Sequence, residues 1–213
     1  MGIDFEELVI RVGLEEEKGA LELFQKMKGN VFSDYIDYEL WVKDDEIRTL
    51  DEEELINLLK EDEPDTAGLH KENLILLGEV EYGKVSEWIA FHFISPSTDD
   101  RKIMTEQVRQ LIFTLYDIIR PPLIRTASDA GDGDICDEEV QNKEIYSIHW
   151  MQIFSKEMLH SINVDKLKNS DKFYEVKDLP DGSIFIQITE DFGFTFPFIK
   201  EISEEIEIDC PEI

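Results

Sequence analysis

The chain has 213 residues, of which 50 are acidic and 21 basic, and this gives a formal net charge of −29. Its hydrophobic content of 42% indicates a globular protein with a core rather than a disordered chain. Nucleic-acid phosphates and anionic lipid headgroups carry the same sign as this surface, so direct binding to nucleic acid or to a membrane is disfavoured. A basic protein or a cation is the natural complement, although an acidic surface also serves solubility alone.

The chain is predicted to begin with a strand and a helix. Apolar residues alternate over 3–12, which predicts a strand, and they recur with helical spacing over 15–28. A second alternating strand covers 36–43 and places Trp41 on its polar face, beside carboxylates. In the segment 50–55 an aspartate is followed three residues later by a glutamate, and this capping box predicts the start of another helix.

Two apolar runs come next and are predicted to form a hairpin. They cover 74–82 and 85–94 on either side of a glycine. The second run is apolar on both faces, which is typical of a central strand. Apolar residues with helical spacing then predict a long helix over 97–119, which Pro121 ends.

The remaining third of the chain is predicted to be rich in strands. Glycine and aspartate dominate 127–142, which is therefore predicted to be a loop. A strand over 145–154 and a short helix over 155–162 follow it. Two further strands, over 173–176 and 183–189, flank a Leu-Pro-Asp-Gly turn.

This order of elements predicts an α+β fold. We expect an antiparallel sheet, or two sheets, with helices packed mainly on one face, and the order leaves open whether the chain consists of two related halves. The predicted parts are an N-terminal α+β part over 1–128, an acidic loop over 129–142 and a strand-rich part over 143–213. These parts can also form a single domain.

The sequence contains no catalytic or metal-binding signature. Its four histidines form no His-Glu-x-x-His motif, and the nucleophile-elbow, phosphate-loop and dinucleotide-turn motifs are missing. Cys136 and Cys210 lie among carboxylates that disfavour the reactive thiolate, and two distant cysteines make neither a disulfide framework nor a zinc site. We therefore predict no catalytic residue, no cofactor and no metal. His92 and His149 are predicted to be hydrogen-bonded core residues, and His160 to lie at the end of a short helix.

The start of the sequence lacks the positive charge and apolar run of a signal peptide. No apolar stretch of the sequence is long enough to cross a membrane. Together with the cysteine pattern, this leads us to expect a reducing, cytoplasmic location.

The segment 129–139 combines clustered carboxylates with glycines, which are the features of a calcium loop. Its acids do not take the first, third and fifth positions of an EF-hand, so a solvated loop or a loop that faces a partner is favoured. Tryptophans are candidate interface anchors, and among Trp41, Trp88 and Trp150 the first is the strongest candidate. The predicted partner-binding residues are Trp41, Asp44, Asp45, Glu46, Asp129, Asp132, Asp134, Asp137 and Glu138.

Residues 145–189 resemble a known family. The relevant segments are a tryptophan-bearing strand, a short helix, a turn and a later strand with a glutamine, which read IHWMQIF at 148–154, KEMLHSI at 156–162, LPDG at 179–182 and IFIQIT at 184–189. This order is similar to the C-terminal half of bacterial polymorphic-toxin immunity proteins, in particular the family 52-like group. The resemblance covers about a fifth of the chain.

The resemblance implies a bacterial protein that neutralises a cognate toxin by stoichiometric binding, without catalysis. The acidity fits a basic toxin, because carboxylates can occupy a cleft that binds phosphates. Two alternatives remain open at this point. One is an enzyme with a carboxylate site that uses a divalent cation, and the other is an acidic adaptor for a different basic protein.

Overall fold

The computed structural model describes residues 7–13, 37–42, 46–50, 53, 67–71, 74–82, 87–94, 101–128, 135, 137–190 and 196–208, and the structural statements below concern these residues. The described strands are β1 (Glu7–Gly13), β2 (Asp37–Val42), β3 (Glu46–Leu50), β4 (Ala67–Lys71), β5 (Leu74–Tyr82), β6 (Glu87–Ile94), β7 (Leu123–Ser128), β8 (Met151–Phe154), β9 (Glu175–Asp178) and β10 (Ile184–Gln187). The described helices are α1 (Arg101–Ile119), α2 (Asp137–Asn142), α3 (Val164–Asn169) and α4 (Phe196–Glu205), with a 3-10 helix at Met158–Ser161.

The ten strands form one sheet in the order β3-β2-β4-β5-β6-β1-β7-β8-β10-β9, and the neighbouring strands are antiparallel. With its helices this sheet makes an α+β fold, which confirms the predicted class. β5 and β6 pair as the predicted hairpin, with Tyr82 opposite Glu87. β6 lies between β5 and β1, the internal position that its two apolar faces predict.

Helices cover both faces of the last strands of the sheet. On β10, Phe185 contacts Phe113 of α1, with ring centroids 4.8 Å apart. Ile184 and Ile186 point to the opposite face, because side chains alternate along a strand, and they belong to a buried cluster with Ile202 of α4. The sequence predicts helices mainly on one face, whereas here α1 lies on one side and α2, α3 and α4 contribute to the cluster on the other. Both faces of these strands are apolar, so both need cover.

The long helix is confirmed as α1. It ends at Ile119, and the next residue, Arg120, takes a left-handed conformation with φ 53° before Pro121. The residues of its buried stripe recur at helical spacing and are Val108, Leu111, Ile112, Leu115, Tyr116 and Ile119.

The predicted Leu-Pro-Asp-Gly turn joins β9 to β10. The backbone N–H of Gly182 donates to the carbonyl of Leu179 at 3.0 Å, and Gly182 takes φ 92°, a conformation that glycine adopts without strain. Asp181 Oδ1 accepts a hydrogen bond from the N–H of Ser183 at 3.0 Å. A second contact fixes the turn to α1, because Tyr116 Oη lies 2.5 Å from Asp181 Oδ2.

Three predictions over 127–162 are wrong in extent. The predicted loop over 127–142 contains the end of β7 and the whole of α2, and the predicted strand over 145–154 is a strand only from Met151 to Phe154. The helix predicted over 155–162 is the 3-10 helix. The backbone over 144–150 is held by side chains instead of a strand ladder, since Glu139 accepts from the N–H of Tyr146.

Other predictions lie outside the described residues or stay untested. The helix over 15–28 is outside them, and of the helix predicted from the capping box only Glu53 is described, as helical. The division into three parts stays a prediction, although β7 and β8, on either side of the acidic segment, pair with each other. Within the described part of the chain, no helix is both long and apolar enough to cross a membrane.

Candidate partner-binding surface

The predicted partner-binding residues fall in two parts of the sheet. Trp41 lies on β2 and Glu46 on the adjacent β3, which is an edge strand. Asp137 is the first residue of α2, and Glu138 follows it with an exposed side chain. The other predicted residues lie outside the described part, and they are Asp44, Asp45, Asp129, Asp132 and Asp134.

The sheet keeps these two parts apart. Five strand spacings separate β2 from β7, the strand that precedes the acidic segment, which corresponds to about 24 Å. Because the order alternates in direction, β2 and β7 run in opposite senses and end at opposite ends of the sheet. A single compact interface is therefore expected to centre on one of the two parts.

α2 turns one side to the core and the other to solvent. Glu139 and Val140 are 1% and 2% exposed, whereas Glu138, Gln141 and Asn142 are exposed. A helix of six residues is too short to persist alone in water. Its position on the protein therefore depends on the two buried side chains.

Arg125 of β7 holds Glu139 inside the protein. Its Nη1 lies 3.0 Å from Glu139 Oε1 and 2.9 Å from Oε2, and it donates to Ser147 Oγ at 3.1 Å. Glu139 Oε1 also accepts the backbone N–H of Tyr146 at 3.1 Å. Burial raises the pKa of Glu139, and the Arg125 charge opposes that rise. One carboxylate thus joins β7, α2 and the segment 144–150.

A glycine lets α2 lie close to the sheet. Gly13, the last residue of β1, pairs with Leu123 of β7. A Cβ at Gly13 would lie 2.9 Å from Val140 Cγ2 and 3.2 Å from Ile135 Cγ2, which is closer than side chains normally pack. The absence of a side chain at this position therefore lets Val140 pack directly on the backbone of β1.

His149 completes the buried network, which confirms its predicted core role. Its Nε2 lies 2.8 Å from Ser147 Oγ, and its backbone N–H donates to Gln152 Oε1 at 3.0 Å. Burial, followed by the nearby Arg125 charge, lowers the pKa of His149 well below its ordinary value. The ring is therefore neutral at pH 7 and adds no second positive charge to the interior.

The structure also tests the predictions made for Trp150 and His160. Trp150 is 3% exposed and donates through Nε1 to the carbonyl of Thr189 at 3.1 Å, so the suggestion that it anchors an interface is wrong. The strand begins only at Met151, so the side-chain alternation of a strand does not apply at Trp150 and could not show that this ring is buried. His160 lies at the end of the 3-10 helix, as predicted, with Nδ1 2.7 Å from the carbonyl of Glu157.

The described surface has a local surplus of negative charge. Seven described cations form ion pairs, and these are Arg109, Arg120, Arg125, Lys143, Lys166, Lys168 and Lys172. Exposed carboxylates that have no ion pair with another described residue include Glu138, Glu144, Asp165, Asp171, Glu190 and Glu204. Ion pairs therefore neutralise many cations locally, while carboxylates remain available to a partner.

The described residues also form an open groove of about 530 Å³ beside α3. Its lining includes His160, Asn163, Asp165 and Glu207. Asn163 caps α3 through its side chain, and Lys166 and Asn163 both bond Glu207, so Asn163 and Glu207 already have partners. Among the described residues, no three histidine, cysteine, aspartate or glutamate side chains are grouped to hold a metal ion.

Comparisons with known proteins give distant structural likenesses. No family model and no curated protein matches the sequence. The Pseudomonas aeruginosa T6SS protein PA0821 is similar in structure over 85% of this chain, with 10% sequence identity and a TM-score of 0.46. The match spans 65% of the length of that protein. At this level of similarity the likeness carries no inference about function.

Proposed function

We propose that this protein is an immunity-type protein of the bacterial cytoplasm, which neutralises a cognate basic toxin by stoichiometric binding and catalyses no reaction. The observation that carries the proposal is the surplus of negative charge. It amounts to −29 over the chain, and on the described surface it is present as exposed carboxylates beside cations that are already paired. The resemblance of residues 145–189 to immunity proteins supports the same function.

The partner is expected to be basic for an electrostatic reason. A toxin that attacks nucleic acid needs cationic side chains where phosphates bind, and a carboxylate-rich surface is complementary to them. Such complementarity raises the association rate through long-range attraction, and salt screens that attraction. An inhibitor of this kind needs no active site, because it acts by covering that of its partner.

The outer side of α2 is the contact surface that we favour. Glu138 and Glu144 are exposed at its two ends, and the acidic segment 129–138 leads directly into it. The buried contacts of Glu139 and Val140 hold the helix on the sheet, so the exposed carboxylates of Glu138 and Glu144 keep a fixed position on the surface.

The test uses the C-terminal domain of the protein encoded immediately upstream as the probe. We expect a 1:1 complex in titration calorimetry, with an association rate that falls when the salt is raised from about 50 mM to about 200 mM. The Glu138→Gln/Glu144→Gln variant should associate several-fold more slowly. The matched control is Asp165→Asn/Glu204→Gln, which removes two exposed carboxylates elsewhere and should differ little from the unchanged protein.

Each outcome of this test has a defined meaning. Failure to bind the probe at low salt rejects the proposed function. Equal slowing by the two variants rejects α2 as the contact surface, because net charge alone then explains the rate. Binding that is independent of salt rejects the electrostatic basis of recognition.

A further inference from the structure

We propose that Arg125 and Glu139 are positioning residues, which fix the orientation of α2 and so present its exposed carboxylates to a basic partner. The part of this inference that concerns partner binding rests on the proposed function. The arrangement itself rests on contacts between β7, α2 and the segment 144–150. It assigns a role beyond stability to a pair of charges that lies inside the protein.

The burial of these charges requires an explanation. Arg125 is 2% exposed and Glu139 is 1% exposed, and moving two charges out of water is unfavourable before any pairing. Apolar side chains of similar size at such sites often give equal or higher stability. Arg125 lies opposite Gln152, whose side chain is also buried, whereas Leu123, two residues earlier on β7, belongs to the apolar cluster, so the pair lies where a polar network adjoins the core.

Directional hydrogen bonds supply what apolar packing does not. A carboxylate that accepts from a guanidinium and from the N–H of Tyr146 is held at a defined angle as well as at a defined distance. Val140, the other buried side chain of α2, makes apolar contacts, which have no preferred direction and so define the orientation of the helix less closely. The ion pair therefore selects one orientation of a helix that is too short to set its own.

The position of the pair along the chain adds to this role. Arg125 lies three residues before the end of β7, and Glu139 is the third residue of α2, so the pair joins the two ends of the acidic segment between them. Segment 129–138 has five carboxylates and no lysine or arginine, and like charges repel one another. The Arg125–Glu139 ion pair connects the residues on either side of this segment and so opposes that repulsion.

The test compares the unchanged protein with Arg125→Met/Glu139→Leu, in which apolar side chains replace the pair. The free energy of unfolding in urea should stay close to that of the unchanged protein, because the desolvation cost of the pair is removed together with the acceptor of the Tyr146 N–H. The amides of 137–149 should nevertheless exchange with solvent about tenfold faster relative to those of β8 and β10, as expected of a local opening without global unfolding. Affinity for the upstream-encoded domain should fall about tenfold, because the carboxylates are no longer held in place.

The controls keep the two proposals separate. If exchange over 137–149 and affinity both stay at the level of the unchanged protein, the positioning role is wrong. If the double variant does not fold, Glu139→Gln decides by the same two measurements, since it keeps the shape of the side chain and an acceptor for Tyr146. If the unchanged protein does not bind the probe, the proposed function fails, and the exchange measurement alone decides the role of the pair.

Discussion

The close approach of α2 to the sheet makes Gly13→Ala a sensitive test of the packing. The added Cβ would lie 2.9 Å from Val140 Cγ2 and 3.2 Å from Ile135 Cγ2, so both side chains must move. Overpacking of this kind costs about 1–3 kcal/mol. The substitution also offsets about 0.5–1 kcal/mol of that cost, because alanine loses less backbone entropy on folding than glycine does. We therefore expect a net loss of about 1–2 kcal/mol in the free energy of unfolding.

A second substitution shows whether Val140 causes that loss. In the Val140→Ala background the nearest atom is absent, so Gly13→Ala should be neutral or stabilising by about 0.5 kcal/mol. Urea unfolding of the four proteins, followed by circular dichroism, gives the coupling energy, which we expect to be about 1–2.5 kcal/mol. If the two substitutions are additive within about 0.5 kcal/mol, α2 does not pack on β1 as described.

Three further predictions concern charged and titrating groups. Arg125→Met leaves the buried Glu139 unpaired and should cost about 3–5 kcal/mol in urea unfolding, whereas Arg120→Met, at an exposed pair, should cost less than about 1 kcal/mol. The lowered pKa of His149 means that the unfolded chain takes up the proton first, so stability should fall as the pH drops below about 6.5, and His149→Gln should remove that part of the dependence. Desolvation alone would raise the pKa of Asp181, but hydrogen bonds from Tyr116 and Ser183 hold it at about 2, so stability should be lost between about pH 4 and pH 2. Because Asp181 is 38% exposed, we expect its share to be about 1 kcal/mol, measured as the difference from Asp181→Asn over that range.

The elements that the sequence predicts correctly are those whose residue pattern lies within the element itself. α1 is visible because its apolar residues recur at helical spacing, and the hairpin of β5 and β6 is visible because two apolar runs flank a short turn. The turn before β10 is visible for a similar reason, since proline, aspartate and glycine each have a defined place in it.

The elements that the sequence misses depend on distant contacts. α2 has no apolar stripe to reveal it, and its buried glutamate is explained only by Arg125, 14 residues earlier. The segment 144–150 has the alternation of a strand, but its backbone bonds to the side chains of Glu139 and Gln152. Burial of charge and irregular backbone hydrogen bonding both come from tertiary contacts, which spacing along the chain does not encode.

The predicted contact surface shows the same limit. The sequence selects Trp41 and Glu138 together, because it favours acidic residues and a tryptophan predicted on a polar strand face as partner-binding residues. Only the strand order shows that β2 and β7 are five strand spacings apart and run in opposite senses. The strand order therefore separates the predicted residues into two groups, and the contact surface that we propose is the one at α2, which an interior ion pair holds on the sheet.

The most direct measurement of the central claim is growth of cells that express the upstream-encoded C-terminal domain together with this protein. If the protein is an immunity-type inhibitor, the domain alone should stop growth, and co-expression of the unchanged chain should restore it. The Glu138→Gln/Glu144→Gln variant should restore growth less well than the matched control, Asp165→Asn/Glu204→Gln, at equal expression. Cells that stop growing although the unchanged chain is present in excess over the toxic domain would contradict neutralisation by binding.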